Sequence, residues 1–145
     1  MFNWEIKAVQ TASATPQDVW EIWTDVSNWN SWDTDLEWSK INGQFEVGTT
    51  GTLKPKGWFS SNFTITEVEL EKSHCETTYM PFTTLQFNHT LEEINDVQVR
   101  ITHHLKVSGL LSPLLWLTMR FKLRNTVPEA LTNLVQKLEN SEKDS

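Results

Sequence analysis

The feature that most constrains the fold is a series of six short runs of β-type residues between residues 35 and 107. Turn residues such as Asn42-Gly43 and Lys56-Gly57 separate these runs. Connections this short join neighbouring strands as hairpins, so the runs are expected to form an antiparallel sheet. The predicted strands are 36–41, 49–55, 62–70, 75–80, 84–93 and 97–107.

The residues before this region predict one more strand and two short helices. Residues 2–10 alternate apolar and polar side chains, which is the period of a strand with one buried face. Thr15 offers an N-cap hydroxyl, Pro16 suits the first helical position, and Asp18 lies three residues after the cap. A second helical turn is predicted at 29–32, so the two helices form a V.

The residues after the sheet predict one long amphipathic helix. It begins with a second cap-plus-proline signal, Ser112-Pro113. Pro128 removes a backbone hydrogen bond, so a kink or break is predicted near Arg124 and Asn125. The apolar side chains of this helix follow at spacings of three and four residues: Leu114, Leu117, Phe121, Val127, Leu131, Leu134, Val135 and Leu138.

The order of these elements predicts an α+β fold with one domain over residues 1–140 and a polar tail over 141–145. The apolar parity switches between Ile65 and Val68, which predicts a β-bulge near Thr66 that bends the sheet. The long helix is the one element with enough apolar stripe to cover the inner face of the sheet. The predicted architecture is a seven-stranded curved antiparallel sheet wrapped on a long C-terminal helix.

Several segments of the sequence resemble the SRPBCC, or START-like, superfamily, and most of all its small bacterial proteins of the polyketide cyclase/dehydrase-like branch. The resemblance implies a helix-grip fold with a deep cavity between the sheet and the terminal helix. It also implies a hydrophobic ligand such as a lipid, sterol or polyketide, and no fixed set of catalytic residues. The segments that carry it are Thr15-Pro16-Gln17-Asp18-Val19-Trp20, Thr24-Asp25-Val26, Trp29-Asn30-Ser31-Trp32-Asp33 and Leu110-Leu111-Ser112-Pro113-Leu114-Leu115.

Charge, hydropathy and cysteine content exclude several classes of function. Twelve Lys and Arg against 19 Asp and Glu give a net charge of −7, which repels phosphate backbones, so nucleic acid is not an expected partner. The apolar run 110–123 contains Arg120 and falls short of the ~20 residues of a bilayer span, so stable membrane insertion is not expected. The single cysteine, Cys75, and the lack of a secretory pattern near Met1 predict a cytoplasmic protein.

Two histidines are the candidate acid/base residues. The parity of their strands places His89 and His103 on the inner face. A three-residue turn centred on Asp96 would set them directly opposite each other, whereas a turn centred on Asn95 would offset them diagonally. One reading makes them a polar, catalytic or hydrogen-bonding group inside an apolar pocket. The other reading makes them a hydrogen-bonded pair of the core. In an apolar site, at least one of them should stay neutral.

Metal binding is not predicted from the spacing of the histidines. His103 and His104 point to opposite faces of a strand, so only His89 and His103 can converge, whereas a catalytic zinc usually takes three protein ligands. Cys75 or Glu76 would have to supply the third ligand, and no spacing requires that. The sequence also lacks a Gly-rich phosphate loop and a CxxC motif, so no cofactor is expected.

Large apolar side chains are the other candidate ligand-binding residues. Trp29, Trp32, Trp58 and Phe59 fall on the second helix and on the loop after Lys56-Gly57, where they either gate the cavity or pack beneath a loop. A second set either lines the pocket or fills the core, and it consists of Phe63, Tyr79, Phe87, Leu117 and Phe121.

Three functions are consistent with these observations. The first is binding or carriage of a small hydrophobic molecule in the cavity. The second is a cyclase or dehydratase that uses His89 or His103 as general acid or base. The third is a protein-interaction module that keeps the fold and fills the cavity.

Overall fold

The computed structural model describes residues 2–143, and these residues form a curled antiparallel sheet of seven strands in the order β1-β7-β6-β5-β4-β3-β2. The predicted α+β architecture and its element order are confirmed. The elements are β1 (Asn3–Ser13), α1 (Pro16–Thr24), a 3₁₀ helix (Val26–Ser31), β2 (Leu36–Ile41), β3 (Thr50–Pro55), β4 (Ser61–Glu69), β5 (Ser73–Met80), β6 (Thr83–Asn95), β7 (Gln98–Ser108) and α2 (Ser112–Lys143).

Helix α1 starts where its capping residues predict. The Thr15 hydroxyl accepts a hydrogen bond from the backbone N–H of Asp18 at 3.2 Å, and the Asp18 carboxylate accepts one from the backbone N–H of Thr15 at 3.0 Å. This reciprocal pair satisfies two backbone donors that have no partner within the helix. The helix buries Val19 and Trp23 against the inner face of the sheet.

The register of the sheet carries the irregularities that bend it. The pairing of β4 with β5 shifts between Ile65 and Glu67, which is the bulge predicted near Thr66. A second shift lies between Glu93 and Asn95, beside the β6–β7 turn. This bulge preserves the matched faces of the two strands, and His89 lies directly opposite His103, which is the first of the two arrangements considered from the sequence.

Helix α2 is one continuous helix, and Pro128 lies inside it without interrupting it. The break predicted near Arg124 does not occur, and the bend remains a prediction. The helix also runs three residues beyond the predicted end at Asn140, while residues 144–145 lie outside the described range. Within the described residues, no helix combines the length and the apolar character that crossing a membrane requires.

The two halves of α2 differ in how they meet the sheet. The second half packs into the core through Leu131, Leu134 and Leu138, which are at most 3% exposed. The first half is fastened at its start, because the Ser112 hydroxyl donates to the Phe2 carbonyl at 2.7 Å and the Ser112 carbonyl accepts from the Trp4 indole at 2.9 Å. Between these fastenings the helix spans the inner face of the sheet.

Gly51 allows β3 to approach the ring of Phe63. A Cβ at this position would lie 2.7 Å from the Phe63 Cε1 atom and 2.6 Å from the Lys40 carbonyl oxygen. Neither group can move away easily, because Phe63 is 1% exposed and the carbonyl belongs to the backbone of the neighbouring strand β2. The residue therefore has to be glycine for β3 and the Phe63 ring to keep their positions.

We expect Gly51→Ala to lower the free energy of unfolding by about 1–3 kcal/mol, because the new methyl group overpacks a filled site. Denaturant unfolding followed by circular dichroism measures this change. Gly43→Ala is the control, since a Cβ there meets Thr49 only at 3.5 Å. Equal stability of the two variants would contradict the packing account of Gly51.

Candidate functional site

A cavity of about 190 Å³ lies between the inner face of the sheet and the first half of α2. This volume far exceeds the ~10–15 Å³ that one water molecule needs. The helix closes one side through Leu115, Met119, Leu123, Thr126, Val127 and Ala130. Strands β3 to β6 close the other side through residues that include Leu53, Phe63, Thr78, Leu85 and Phe87.

Most of the predicted large side chains and both predicted histidines lie on the wall of this cavity. They are Trp29, Trp32, Trp58, Phe63, Phe87, His89 and His103. Phe59, Tyr79, Leu117 and Phe121 lie outside the wall and are 60–79% exposed. The residues on the wall also include Trp4 and Trp23, which the sequence analysis did not single out.

The outward position of Leu117 and Phe121 follows from the face that α2 turns to the sheet. Leu115, Met119 and Leu123 repeat every four residues and face the cavity. Leu117 and Phe121 therefore point away, although they satisfy the same spacing rule. The first half of α2 carries two apolar stripes, and only tertiary packing decides which of them is buried.

Tyr79 lies outside the cavity because β5 presents polar side chains inward. His74, Glu76 and Thr78 share the inner face and line the cavity, so Tyr79 belongs to the opposite face. An apolar-inward rule assigns this strand the wrong way round. For the same reason, His74 was not predicted as a site residue, and Glu76 was considered only as a third metal ligand.

Three histidines lie side by side across three neighbouring strands. His74 of β5 is directly opposite His89 of β6, which is directly opposite His103 of β7. The rings of His74 and His89 stack with centroids 4.2 Å apart and an interplanar angle of 11°. The centroids of the His89 and His103 rings are 4.8 Å apart. The sheet register alone therefore creates a row of imidazoles at one end of the cavity.

Glu76 lies next to two of these imidazoles. Its carboxylate oxygens are 2.8 Å and 2.9 Å from Nδ1 of His74, and one of them is 3.3 Å from Nδ1 of His89. Glu76 and His74 are 3% and 2% exposed, so this contact is shielded from water. Burial raises the pKa of Glu76, but the charges of His74 and His89 outweigh it and lower this pKa to about 2. Glu76 is therefore a carboxylate.

His103 is a neutral histidine. The indole N–H of Trp23 donates to Nε2 of His103 at 3.2 Å, and an indole nitrogen can only donate, so this Nε2 carries a lone pair. Burial, followed by the nearby His89 and His74, lowers the pKa of His103 well below its ordinary value. Burial also lowers the pKa of His74, although the Glu76 charge acts in the opposite direction. The expectation of at least one neutral histidine agrees with this geometry.

Asp33 is a second ionisable group on the cavity wall, and the sequence analysis did not propose it as a site residue. Burial and the neighbouring charges of Asp35 and Glu129 raise its pKa to about 6, although a hydrogen bond from the Asp35 backbone N–H acts to lower it. Asp35 itself pairs with Lys122 at 3.4 Å. A carboxyl group that titrates near neutrality can give or take a proton at this wall.

We expect Asp33→Asn to stabilise the protein at pH 7. The pKa of Asp33 rises from 3.8 to about 6 on folding, so the folded state binds this proton more tightly and stability falls as the pH rises through that window. Asparagine does not ionise, so this decrease in stability with pH disappears and the free energy of unfolding at pH 7 rises by about 1–3 kcal/mol. Unfolding curves from pH 3 to 7 measure it, and the two proteins should coincide at pH 3. Parallel curves over the whole range would contradict the raised pKa.

Three solved structures share this fold and are similar to this chain over most of its length. The aromatase/cyclase Zhui from Streptomyces sp. R1128 superposes with a TM-score of 0.78 at 10% identity, covering 95% of this chain and 94% of that chain. Norcoclaurine synthase from Thalictrum flavum, in complex with dopamine and hydroxybenzaldehyde, gives 0.73 at 12% identity, covering 94% and 86%. A START superfamily protein from Mycobacterium smegmatis gives 0.72 at 12% identity, covering 92% and 98%.

Identities this low establish the helix-grip fold and do not transfer an activity. Among curated proteins, none matches this sequence. The sequence profile of the family described as polyketide cyclase / dehydrase and lipid transport matches residues 3–139, which span β1 through most of α2. That range contains the whole sheet, every residue of the cavity wall and the row of histidines, and the chain therefore belongs to the polyketide cyclase / dehydrase and lipid transport family.

Proposed function

We propose that this protein binds a small, mainly apolar molecule that carries a polar group at one end. The observation that supports it is the cavity between the sheet and the first half of α2, which has apolar walls and a polar end. A ligand pocket needs this combination, since apolar area supplies affinity and a few polar groups fix orientation. The proposal narrows the family description, which covers both enzymes and lipid carriers.

The apolar wall supplies the affinity. Trp29, Phe63 and Phe87 contribute large rings, and Leu115 and Leu123 face them from the helix. Each square ångström of apolar surface removed from water contributes roughly 25 cal/mol, so a ring-sized molecule gains several kcal/mol here. The dopamine and hydroxybenzaldehyde bound to norcoclaurine synthase are also single-ring compounds. They support a ligand that is mainly apolar and about the size of one ring.

The polar end supplies orientation. The indole nitrogen of Trp32, Nε2 of His74 and Nδ1 of His89 are buried, and each lacks a hydrogen-bond partner. Trp32 and His89 both lie on the cavity wall. Buried polar atoms without partners cost stability, and a ligand carbonyl or hydroxyl group would relieve that cost. We infer that the polar group of the ligand points toward these residues.

The cavity also argues against the third function considered from the sequence. A protein-interaction module with a filled core would place side chains where this cavity lies. The wall residues leave about 190 Å³ between them instead. Binding of a small molecule uses this space directly.

We expect Leu123→Trp to weaken binding of an apolar fluorescent probe such as ANS at least about tenfold, or roughly 1.4 kcal/mol, because the indole fills the cavity. Leu117→Trp is the matched control, since it places the same side chain on the outward face of the same helix, where Leu117 is 62% exposed. Fluorescence titration of the two variants and the parent protein measures the difference. Equal affinities, or a parent protein that binds no probe, would refute the proposed site.

An enzymatic role is the second candidate function. The observation that favours it is that two ionisable groups line the cavity, Asp33 with a pKa raised to about 6 and His89 beside a buried carboxylate. Cyclase and dehydratase reactions require a proton to be removed at one atom and delivered at another, which two such groups can do. His103 is a weaker candidate for the catalytic base, because its Nε2 lone pair already accepts the Trp23 hydrogen bond.

The variant His89→Phe distinguishes a binding role from a catalytic role. For a pure binder, we expect affinity for an oxygen-bearing ligand to fall by about 1–3 kcal/mol, while affinity for a hydrocarbon probe changes little. For an enzyme, turnover is lost while affinity for an inert analogue is retained. Native mass spectrometry of the purified protein identifies the bound molecule, which is then used as the ligand in both measurements. Unchanged affinity and unchanged turnover would remove His89 from the site.

A further inference from the structure

We propose that His74, Glu76 and His89 form a binding site for one divalent first-row transition-metal ion. Each residue offers a ligand atom, and these three atoms lie within 4.8 Å of one another. The site does not depend on the proposed hydrophobic ligand, since it consists only of side chains of the sheet. The spacing of the histidines along the sequence does not reveal this site, because His74 lies on a strand whose inward side chains are polar.

The sheet holds the three ligands in place. His74 and His89 form a directly opposed pair on β5 and β6, and Glu76 follows two residues after His74 on the same face of β5. Side chains on paired antiparallel strands are fixed by the backbone hydrogen bonds on both sides. The strand positions of the ligands are therefore set before binding, and the two stacked rings have to turn so that their in-plane lone pairs meet at one ion.

The hydrogen bond between Nδ1 of His74 and Oε2 of Glu76, at 2.9 Å, leaves two other atoms of the cluster without a partner. Oε1 of Glu76 is 2.8 Å from Nδ1 of His74, yet this oxygen has no hydrogen-bond partner. Nδ1 of His89 is 3.3 Å from Oε2 of Glu76, and it has none either. Ligand atoms bonded at about 2.0–2.2 Å to a common ion are separated by about 3 Å, and the Glu76–histidine separations of 2.8 Å and 3.3 Å are of this size.

The charge of the cluster also favours a cation. The Glu76 carboxylate is 3% exposed, and among the described residues its ion-pair contacts are with the two histidines, with no lysine or arginine within reach. Lys122, which is on the cavity wall, is held elsewhere by Asp35 and by the Lys56 carbonyl. A carboxylate removed from water needs a nearby positive charge, and a bound divalent ion would supply it.

The ligand set indicates the class of ion. Two imidazole nitrogens and one carboxylate suit Zn²⁺, Fe²⁺ and their neighbours, whereas Mg²⁺ and Ca²⁺ prefer sets made of oxygen alone. His103 is not available as a fourth ligand while its Nε2 accepts the Trp23 hydrogen bond. Three protein ligands leave coordination positions open toward the cavity, as in catalytic rather than structural metal sites.

The test is a titration of the metal-stripped full-length protein with Zn²⁺ and with Co²⁺. We expect one ion per chain by calorimetry, and visible Co²⁺ absorption bands that report nitrogen and oxygen ligands. Glu76→Gln keeps the size of the side chain and removes its charge, so we expect at least about 100-fold weaker binding and loss of the Co²⁺ bands. His89→Gln gives a second variant with the same expectation in case Glu76→Gln does not fold.

His104→Gln is the control for adventitious surface binding. His104 pairs with Glu5 at 2.9 Å and is the remaining histidine–carboxylate contact in the described chain. This variant should bind metal like the parent protein. Less than one ion per chain in the parent protein, or equal affinity in the parent protein and Glu76→Gln, would overturn the proposal. ANS binding by the metal-stripped protein separates this outcome from failure of the proposed hydrophobic site.

Discussion

The side chain of Trp23 joins the parts of the molecule that build the site. It is fully buried, and its indole N–H donates to His103, which fixes α1 against β7. Its backbone carbonyl accepts the indole N–H of Trp29 at 2.9 Å, which fixes the 3₁₀ helix against α1. Its ring also meets the edges or faces of His74 and His89, with centroids 4.9 Å and 5.8 Å away. The orientation of the imidazole row therefore depends on one residue of α1.

The buried polar residues of the site lower the free energy of unfolding of the protein. A core of this size would be more stable with apolar side chains at the positions of His74 and Asp33, because burial removes each of them from water without full compensation. The aromatic rings around them limit the loss, since Trp20, Trp23 and Phe45 pack against the edges and faces of His74. Groups held at such cost are typical of functional sites, where stability is given up for reactivity or recognition.

Local rules predicted most of the fold, because each element follows from its own residues. The Thr15 capping box placed α1, alternation placed the strands, and the switch of parity near Thr66 placed the bulge. The site was harder to predict. The inner face of β5 is polar, so the apolar-inward rule reversed that strand and left His74 out of the cluster. The face of α2 that carries Leu123 was missed for a related reason, since two stripes satisfy one period and only contact with the sheet selects between them.

The contacts that hold the start and the second half of α2 affect how quickly a ligand can enter and leave the cavity. A continuous helix is stiff, and this one is held by Ser112 at its start and by Leu131 and Leu134 beyond its middle. Lifting its centre would break one end or the other. The short connection between β3 and β4 is different, because Trp58 and Phe59 are 38% and 79% exposed and carry few buried contacts. Segments of this kind open at the lowest free energy. The residence time of a bound molecule should therefore follow the motion of this hairpin connection, while its affinity follows the wall behind it.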